Sequence, residues 1–440
     1  MSDDVLFDDV TATPAGTARS GETEPRYETA HRDQIELTPT DLETLLPPGH
    51  AARLVWRFVE GLDLSAFYAT IQAREGGPGR PAIDPKILVA LWLYATMDGV
   101  GSAREVDRLC YSHDAYRWLR GGVSVNYHTL SDFRVGQQEV LDDLLTQSIT
   151  ALLQRGIVTM ARVAHDGTRV RGSAGAGSFR CGETLQACLQ AARTQVARTA
   201  QQTEAPVNAR VEAAQHRAAA DRLARVDEAL AQLPAVQAIK DRQPTKARRT
   251  EARVSTTDPD ARVMKMADGG YRPAYNVHFA TDVDSRVIVG VRTLNSGNDQ
   301  SQLGPMLNAL TQRLGSLPRA LLLDGGFVTK AEITAAAARD VTVYAPPMQR
   351  TGRTRLPEHA VPGDSPAVAA WRARMATDEA KALYKMRAAT AEWVNADART
   401  HRTLGRVLVR GLANVHTWAL WVALAHNMIR TMQIIPHLMT

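Results

Sequence analysis

No proline interrupts the chain between Pro366 and Pro436. That licence to be helical is the strongest single constraint on the second half of the sequence, because proline removes a donor and clashes with the preceding turn. Within it lies KALYKMRAATAEWVNADAR, residues 381–399. At about 100° per residue, Tyr384, Ala388, Glu392, Asn395 and Arg399 fall on one stripe, and Leu383, Met386, Thr390, Trp393 and Val394 on the opposite one. The second stripe predicts a face packed on a core. The first presents one carboxylate among a phenol and cations, with Arg387 at its margin. Such a face is ordinarily just solvated. It gains meaning from two further acids, Asp166 and Asp324, each closing an apolar strand-like run, VAHD and ALLLD.

A chain of 440 residues has room for two or three domains. Its aromatic content of 5% predicts cores built mostly of Ala, Leu and Val. The three cysteines, Cys110, Cys181 and Cys188, form no CxxC pair, which suits a reducing cytoplasm and argues against a structural zinc site. The acidic start, MSDDVLFDDV, lacks the basic and apolar regions of a signal peptide, and the apolar run at 417–425 is too short to span a bilayer. A soluble, cytoplasmic protein is expected. Net charge is only +5 but is unevenly spread. Residues 1–50 hold 3 Arg and no Lys against 11 acids, for −8, and residues 341–440 hold 13 Lys and Arg against 6 acids, for +7. The basic end contains the organising helix, as contact with a polyanion would require.

Residues 1–35 show no sustained period and read as a flexible acidic tail. Helical signals follow over 36–156. Pro85 can open a helix after the turn cluster at 76–84, and Ser102 with Glu105, then Thr129 with Asp132, have the spacing of capping boxes. With Arg80, Arg104, Arg117, Arg120 and Arg134 among them, these helices suit a DNA-binding domain or, equally, a dimerisation module. From 157 the texture becomes mixed. ARVAHDGTRVRGS alternates like a strand, and two proline-poor helical stretches, broken near Pro206, read as an insertion at about 180–250 that ends in the basic run 240–253. Strand and helix signals then alternate to Pro346, predicting an α/β domain with a mixed sheet, closed by the helix at 381–399 and an apolar helix over 415–432.

Asp166 and Asp324 are both followed by glycine, at the kind of strand end where functional side chains gather in open α/β sheets. Either alone reads more simply as a turn residue, and Glu392 alone as a surface acid. Together, three converging carboxylates would repel one another without cations. Mg²⁺ relieves that repulsion and retains water for substrate phosphate. Two such ions about 4 Å apart could activate a water or a 3′-hydroxyl and stabilise a leaving oxygen. No Ser-His or Cys-His arrangement offers a rival nucleophile. His165-Asp166 lacks the helical setting of a metal phosphohydrolase, and Ala164 stands where a haloacid-dehalogenase-type phosphatase would place its nucleophilic Asp.

GRPAIDPKILVALWLYATMDGVGSAREVDRLC, AHDGTRVRGSA, DPDARVMKMADGGYRPAYNVHFATD, LLLDGGF and YKMRAATAEWVNADARTHRTLGRVLVRGLANVHTWALWVALAHNMIR together resemble a DDE transposase of a bacterial insertion sequence. The resemblance implies an all-α amino-terminal domain and a ribonuclease-H-like mixed sheet with a helical insertion. It makes Asp166, Asp324 and Glu392 the catalytic, metal-binding triad for Mg²⁺, with Mn²⁺ as a substitute. Tyr384 and Arg387 become signature partners near DNA, Arg399 stands in place of the signature Lys, and Arg402 is a further DNA-binding candidate. The implied partners are the transposon's terminal inverted repeats, target DNA, and other copies of the chain in a dimer or larger multimer, nucleoid-associated when bound to DNA. Four residues separate Arg387 from Glu392, where the widest form of the signature has three, and Trp393-Val394-Asn395 stands where Phe and Gly are usual. A DNA-binding relic that no longer cuts, and a ribonuclease-H-like nuclease without strand transfer, are the alternative readings.

Overall fold

A computed structural model describes residues 41–73, 81–201, 209–242, 251–347 and 359–436. The acidic tail expected over 1–35, residues 76–80 of the turn cluster with Arg80, the break near Pro206 and residues 243–250 of the basic run lie outside the described residues. From Leu42 onward the chain forms one unit.

The first described part is helical: α1 (Ala51–Glu60), α2 (Ser65–Ala69), α3 (Pro85–Met97), α4 (Ala103–Ser112), α5 (Asp114–Arg120), α6 (Tyr127–Gly136) and α7 (Gln138–Gln154). Pro85 opens α3, where its missing N–H is not needed, and Asp84 caps the helix by accepting from the Lys86 amide at 2.9 Å. Every residue from Pro85 to Thr96 except Lys86 is buried, as expected of a helix that is apolar all round. Only half of the first capping box forms. Ser102 Oγ accepts from the Glu105 amide, but the Glu105 carboxylate turns to Arg108 Nε at 3.1 Å. Thr129 does not open the next helix. Asn126 does, accepting from the Thr129 amide at 3.0 Å, and the apolar stretch that follows is two helices divided at Gln137.

Next come β1 (Arg162–Arg171), β2 (Phe179–Arg180), α8 (Gly182–Gln201), α9 (Ala209–Asp241), β3 (Val254–Ser255), β4 (Arg262–Lys265), β5 (Tyr271–Asp282), β6 (Ile288–Leu294), α10 (Leu303–Leu314), β7 (Ala320–Leu322), α11 (Lys330–Ala337) and β8 (Thr342–Tyr344). β1 is central. It pairs antiparallel with β5 on one side and parallel with β7 on the other, and β8 continues the parallel part beyond β7. β4 and β6 both pair antiparallel with β5, so the sheet is mixed. The parallel pair β7–β8 needs a crossover connection, which α11 supplies. The two inserted helices pack on each other, with Leu185, Ala229 and Val254 buried between them and the β2–β3 ribbon.

The last part contains α12 (Pro366–Ala376), α13 (Asp378–Arg387), α14 (Trp393–Thr400) and α15 (Leu412–Ile434). α15 is buried almost continuously from Val415 to Met428 and touches α3, α7 and β6. Its Asn427 behaves as a strand partner, accepting from the Ile288 amide and donating to the Ile288 carbonyl, both at 2.8 Å. A single buried core therefore includes Trp92 of α3, Val163 of β1 and Trp421 of α15. No helix among the described residues is long and apolar enough to cross a membrane. Trp421 is fully buried and donates from Nε1 to the Arg134 carbonyl at 3.0 Å. Trp421→Ala is expected to cost about 3–5 kcal/mol of stability, the range for emptying a buried aromatic site. Urea unfolding checks this, and a loss below about 1 kcal/mol would contradict the shared core.

Candidate active site

The parallel pairing of β1 with β7 ends at Ala164 opposite Leu322. Asp166 lies two residues further along β1, and Asp324 lies two residues past Leu322, where β7 has ended. Alternation puts Asp166 on the face of Ala164, and on that face Ala164, Leu322 and Ala391 pack together with Leu383 and Met386. Asp166 is not at a strand end, as the sequence suggests. β1 continues to Arg171 along β5, and only the β7 pairing stops. Nor does Gly167 make a turn. A Cβ there would lie 2.9 Å from His278 Nε2 and 3.0 Å from both Asn276 Oδ1 and Asp299 Oδ1. Asp324 does open a turn, its carbonyl accepting from the Phe327 amide at 3.0 Å.

Behind Gly167 runs a polar network that the sequence does not announce. His165 Nε2 lies 3.1 Å from His278 Nδ1, and His278 Nε2 lies 3.3 Å from Asp299 Oδ1. Asn276 Nδ2 donates to Asp299 at 2.5 Å. Burial, reinforced by His278, Arg292 and Arg387, holds the His165 pKa well below its ordinary value, so the ring is neutral.

The third acid arrives through an irregular helix. α13 and α14 are joined by a π turn over Ala388–Glu392. Five α-helical steps would carry Glu392 about 140° away from Arg387 around the axis. A π turn closes i to i+5 and brings such residues back over one another. Arg387 Nη1 accordingly lies 3.7 Å from Glu392 Oε1, while Nη2 lies 3.1 Å from Asp166 Oδ1. The extra residue between Arg387 and Glu392 is thus absorbed within the helix.

The π turn also changes which residues face inward. Trp393, expected on the packed face, is 40% exposed, with Arg286 over its ring at 5.0 Å. Asn395, expected outside, is buried and donates from Nδ2 to Asp166 Oδ2 at 3.2 Å. Asn395 is a site residue that the stripe arithmetic put on the wrong face.

Burial raises the Asp166 pKa, and Asp299 and Asp324 add to the rise against the opposing influence of Arg387 and the Gly167 amide. Burial works against the charge of Arg387, yet Asp166, Tyr384, Asp324 and Glu392 together hold its pKa above the ordinary value. Burial likewise raises the Tyr384 phenol, whose ring packs near Ile333 and Trp371. Glu392 is 65% exposed. Among the described residues no three acids, histidines or cysteines are already spaced to grip a metal ion, and the counter-charge facing Asp166 is Arg387. Arg399 is exposed. Arg402 turns inward, bonding Asp397 at 3.2 Å and the Met97 carbonyl.

Residues 40–136 match the family described as Transposase domain (DUF772), and residues 351–432 match the family described as Transposase DDE domain. The second match contains Tyr384, Arg387, Glu392, Arg399 and Arg402, whereas Asp166 and Asp324 lie between the two matched segments. Comparison with curated proteins and with solved structures found no match. Deleting Ala389 would leave Arg387 and Glu392 four residues apart, still on one face of an uninterrupted α-helix. That deletion is expected to shift the melting temperature by less than about 2 °C. Deleting Ala396 from α14 rotates everything beyond it by about 100° and should cost several times more. Equal losses would show that the π turn does not absorb the extra residue.

Proposed function

From the premise that the chain belongs to the DDE transposases of insertion-sequence type, which its two domain matches support, we propose that it cuts DNA at terminal inverted repeats. It then joins the freed 3′-hydroxyls to target DNA, acting as a dimer or larger multimer. The observation that carries this reading is the position of Asp166 and Asp324 two residues beyond the last paired residues of parallel neighbours, with Arg387 3.1 Å from Asp166 and 3.7 Å from Glu392. A mixed sheet with one acid on β1, a second just past the end of its parallel neighbour β7 and a third on a helix packed against the sheet supports a ribonuclease-H-like catalytic domain over 157–440. The helices of 36–156 precede it as the DNA-binding or dimerisation domain, and α8 and α9 form its insertion.

The donor chemistry fits a divalent ion. Asp166 and Asp324 offer only carboxylate oxygens, and Asp324 already presses the Asp166 proton affinity upward, a repulsion that Mg²⁺ or Mn²⁺ would relieve. Asp166, Asp324 and Glu392 would hold the metal. When bound, such ions activate the attacking oxygen and neutralise charge at the phosphate. The rest falls to the chain. Asn395 and the Gly167 amide, which donates to Asp166 Oδ1 at 3.0 Å, fix the Asp166 carboxylate. Arg387 keeps the acids from repelling one another before DNA arrives, and the Tyr384 ring closes the side of the site toward α12. Phosphoryl transfer depends largely on such positioning and charge neutralisation.

One observation favours a second reading: Arg387 stands against Asp166 where a metal's charge is needed, as it would in a relic that binds repeats without cutting. Asp324→Asn and Glu392→Gln should each lower Mg²⁺-dependent nicking at a repeat boundary by about 10²–10³-fold, with repeat binding in a gel shift unchanged. Nicking at the wild-type rate by either variant would remove that acid from the mechanism. Binding without nicking by the wild type, in both Mg²⁺ and Mn²⁺, would select the relic, and nicks never joined to target would select a nuclease.

A further inference from the structure

Beyond Asp166, β1 runs on to Arg171, and there the chain returning from α14 joins it. Arg171 and Arg406 are partners in a parallel bridge, with the Arg171 amide donating to the Gly405 carbonyl at 3.2 Å and the Val407 amide to the Arg171 carbonyl at 2.9 Å. The return is tight. A Cβ on Gly405 would lie 2.9 Å from the Arg399 carbonyl oxygen, so the backbone there has no room for a side chain. This brings Arg171 of β1 beside Arg399 at the end of α14 and Arg406 in the segment that follows it.

Two cavities meet there. One, of about 560 Å³, is bordered by Gly167, Thr168, Arg171, Arg272 and Arg399. The other, of about 340 Å³, is bordered by Gly101, Ser102, Arg399 and Arg406, and both touch Gly405. They form a path from the strand neighbours of Asp166 to the loop that opens α4. The charges along it divide into two kinds. Arg272 is held by Asp268 at 2.8 Å and Arg169 by Asp299 at 3.5 Å. The acid at the far end, Glu105, is bonded to Arg108. Arg171, Arg399 and Arg406 are exposed and have no side-chain partner among the described residues.

Unpaired cations spaced along an open groove match the repeating charge of a phosphodiester backbone, which they can hold without reading bases. We propose that this groove carries the DNA backbone on the α4 side of the cut, with Arg171, Arg399 and Arg406 as phosphate contacts. The inference rests on the transposase reading, which supplies DNA as the ligand, and adds where and through which side chains the strand lies. Arg171 and Arg406 are the additions that no sequence signal suggested, because their proximity depends on the bridge between β1 and the segment after α14.

The test is duplex binding to a repeat-bearing DNA across a salt series, measured by fluorescence anisotropy. Each phosphate contact contributes about 0.9 to the slope of log K against log salt. The triple variant Arg171→Gln, Arg399→Gln, Arg406→Gln should therefore lose between about 2 and 3 from that slope. Arg155→Gln, an exposed cation at the end of α7, should leave the slope unchanged. If the triple variant does not fold, as judged by its melting curve, the single variants serve, each expected to lose about 0.9. An unchanged slope in the folded triple variant, or an equal loss in Arg155→Gln, overturns the groove. A wild type that never nicks DNA while the slope falls as expected would sink the catalytic reading and leave the groove standing.

Discussion

Arg387 is the charge on which the arrangement of acids depends. A buried carboxylate beside other carboxylates is unfavourable unless a cation stands near. Arg387 supplies that cation from inside the chain, 3.1 Å from Asp166 and 3.7 Å from Glu392. The guanidinium is itself largely buried, 12% exposed, so neither partner would be stable there alone. That mutual requirement explains why the helix tolerates a π turn. Without it, the residue five positions on would point elsewhere, and Glu392 would leave the pair.

The second constraint is steric and comes from the sheet. β1 must carry Asp166 toward the helix while its opposite face packs against His278, Asn276 and Asp299. Only glycine fits at the next position, since any Cβ would collide with three polar atoms at once. The network behind Gly167 links His165, His278, Asp299 and Asn276, while His165 Nδ1 and Asn276 Oδ1 are buried without a hydrogen-bond partner among the described residues. Burial raises the proton affinity of Asp166, and the charges of Asp299 and Asp324 add to the rise against Arg387 and the Gly167 amide.

Much of this is legible in the sequence. The mixed α/β order, the inserted helical pair and the apolar final helix follow from periodicity, because each buries a face whose repeat can be counted. Asp166 and Asp324 stand out in the sequence by their placement after apolar runs, and Glu392 by its place on the polar stripe of 381–399. Phase is not legible in this way. Counting 100° per residue through 388–392 put Asn395 outside and Trp393 inside, and one extra residue in the helix was enough to exchange them. The odd spacing between Arg387 and Glu392 was visible, but spacing alone does not say whether a helix breaks, rotates or bulges. Caps failed in a similar way. Thr129 has the right chemistry to open α6, but Asn126 lies at the start of the turn and takes the role. The apolar run that ends at Asp166 suggests a strand end there. What ends is the pairing to β7, while β5 carries the strand five residues further.

Arg399 and Arg402 show why charge cannot be assigned from sequence. They are three residues apart, of one type, at the end of one helix. Arg402 reaches Asp397 and the Met97 carbonyl, while His426 approaches Asp397 from α15 at 3.4 Å. Its charge is committed to holding α14 against α3 and α15, and a phosphate would have to displace a carboxylate to use it. Arg399 is exposed and has no such partner among the described residues. The difference lies in where Asp397 points, which depends on the packing of three helices distant in sequence. The same packing brings Arg406 beside Arg171. The fold thus spends some of the positive charge of its carboxyl-terminal region on holding itself together and places Arg399 and Arg406 along one groove, so the regional excess of cations overstates what a polyanion there would meet.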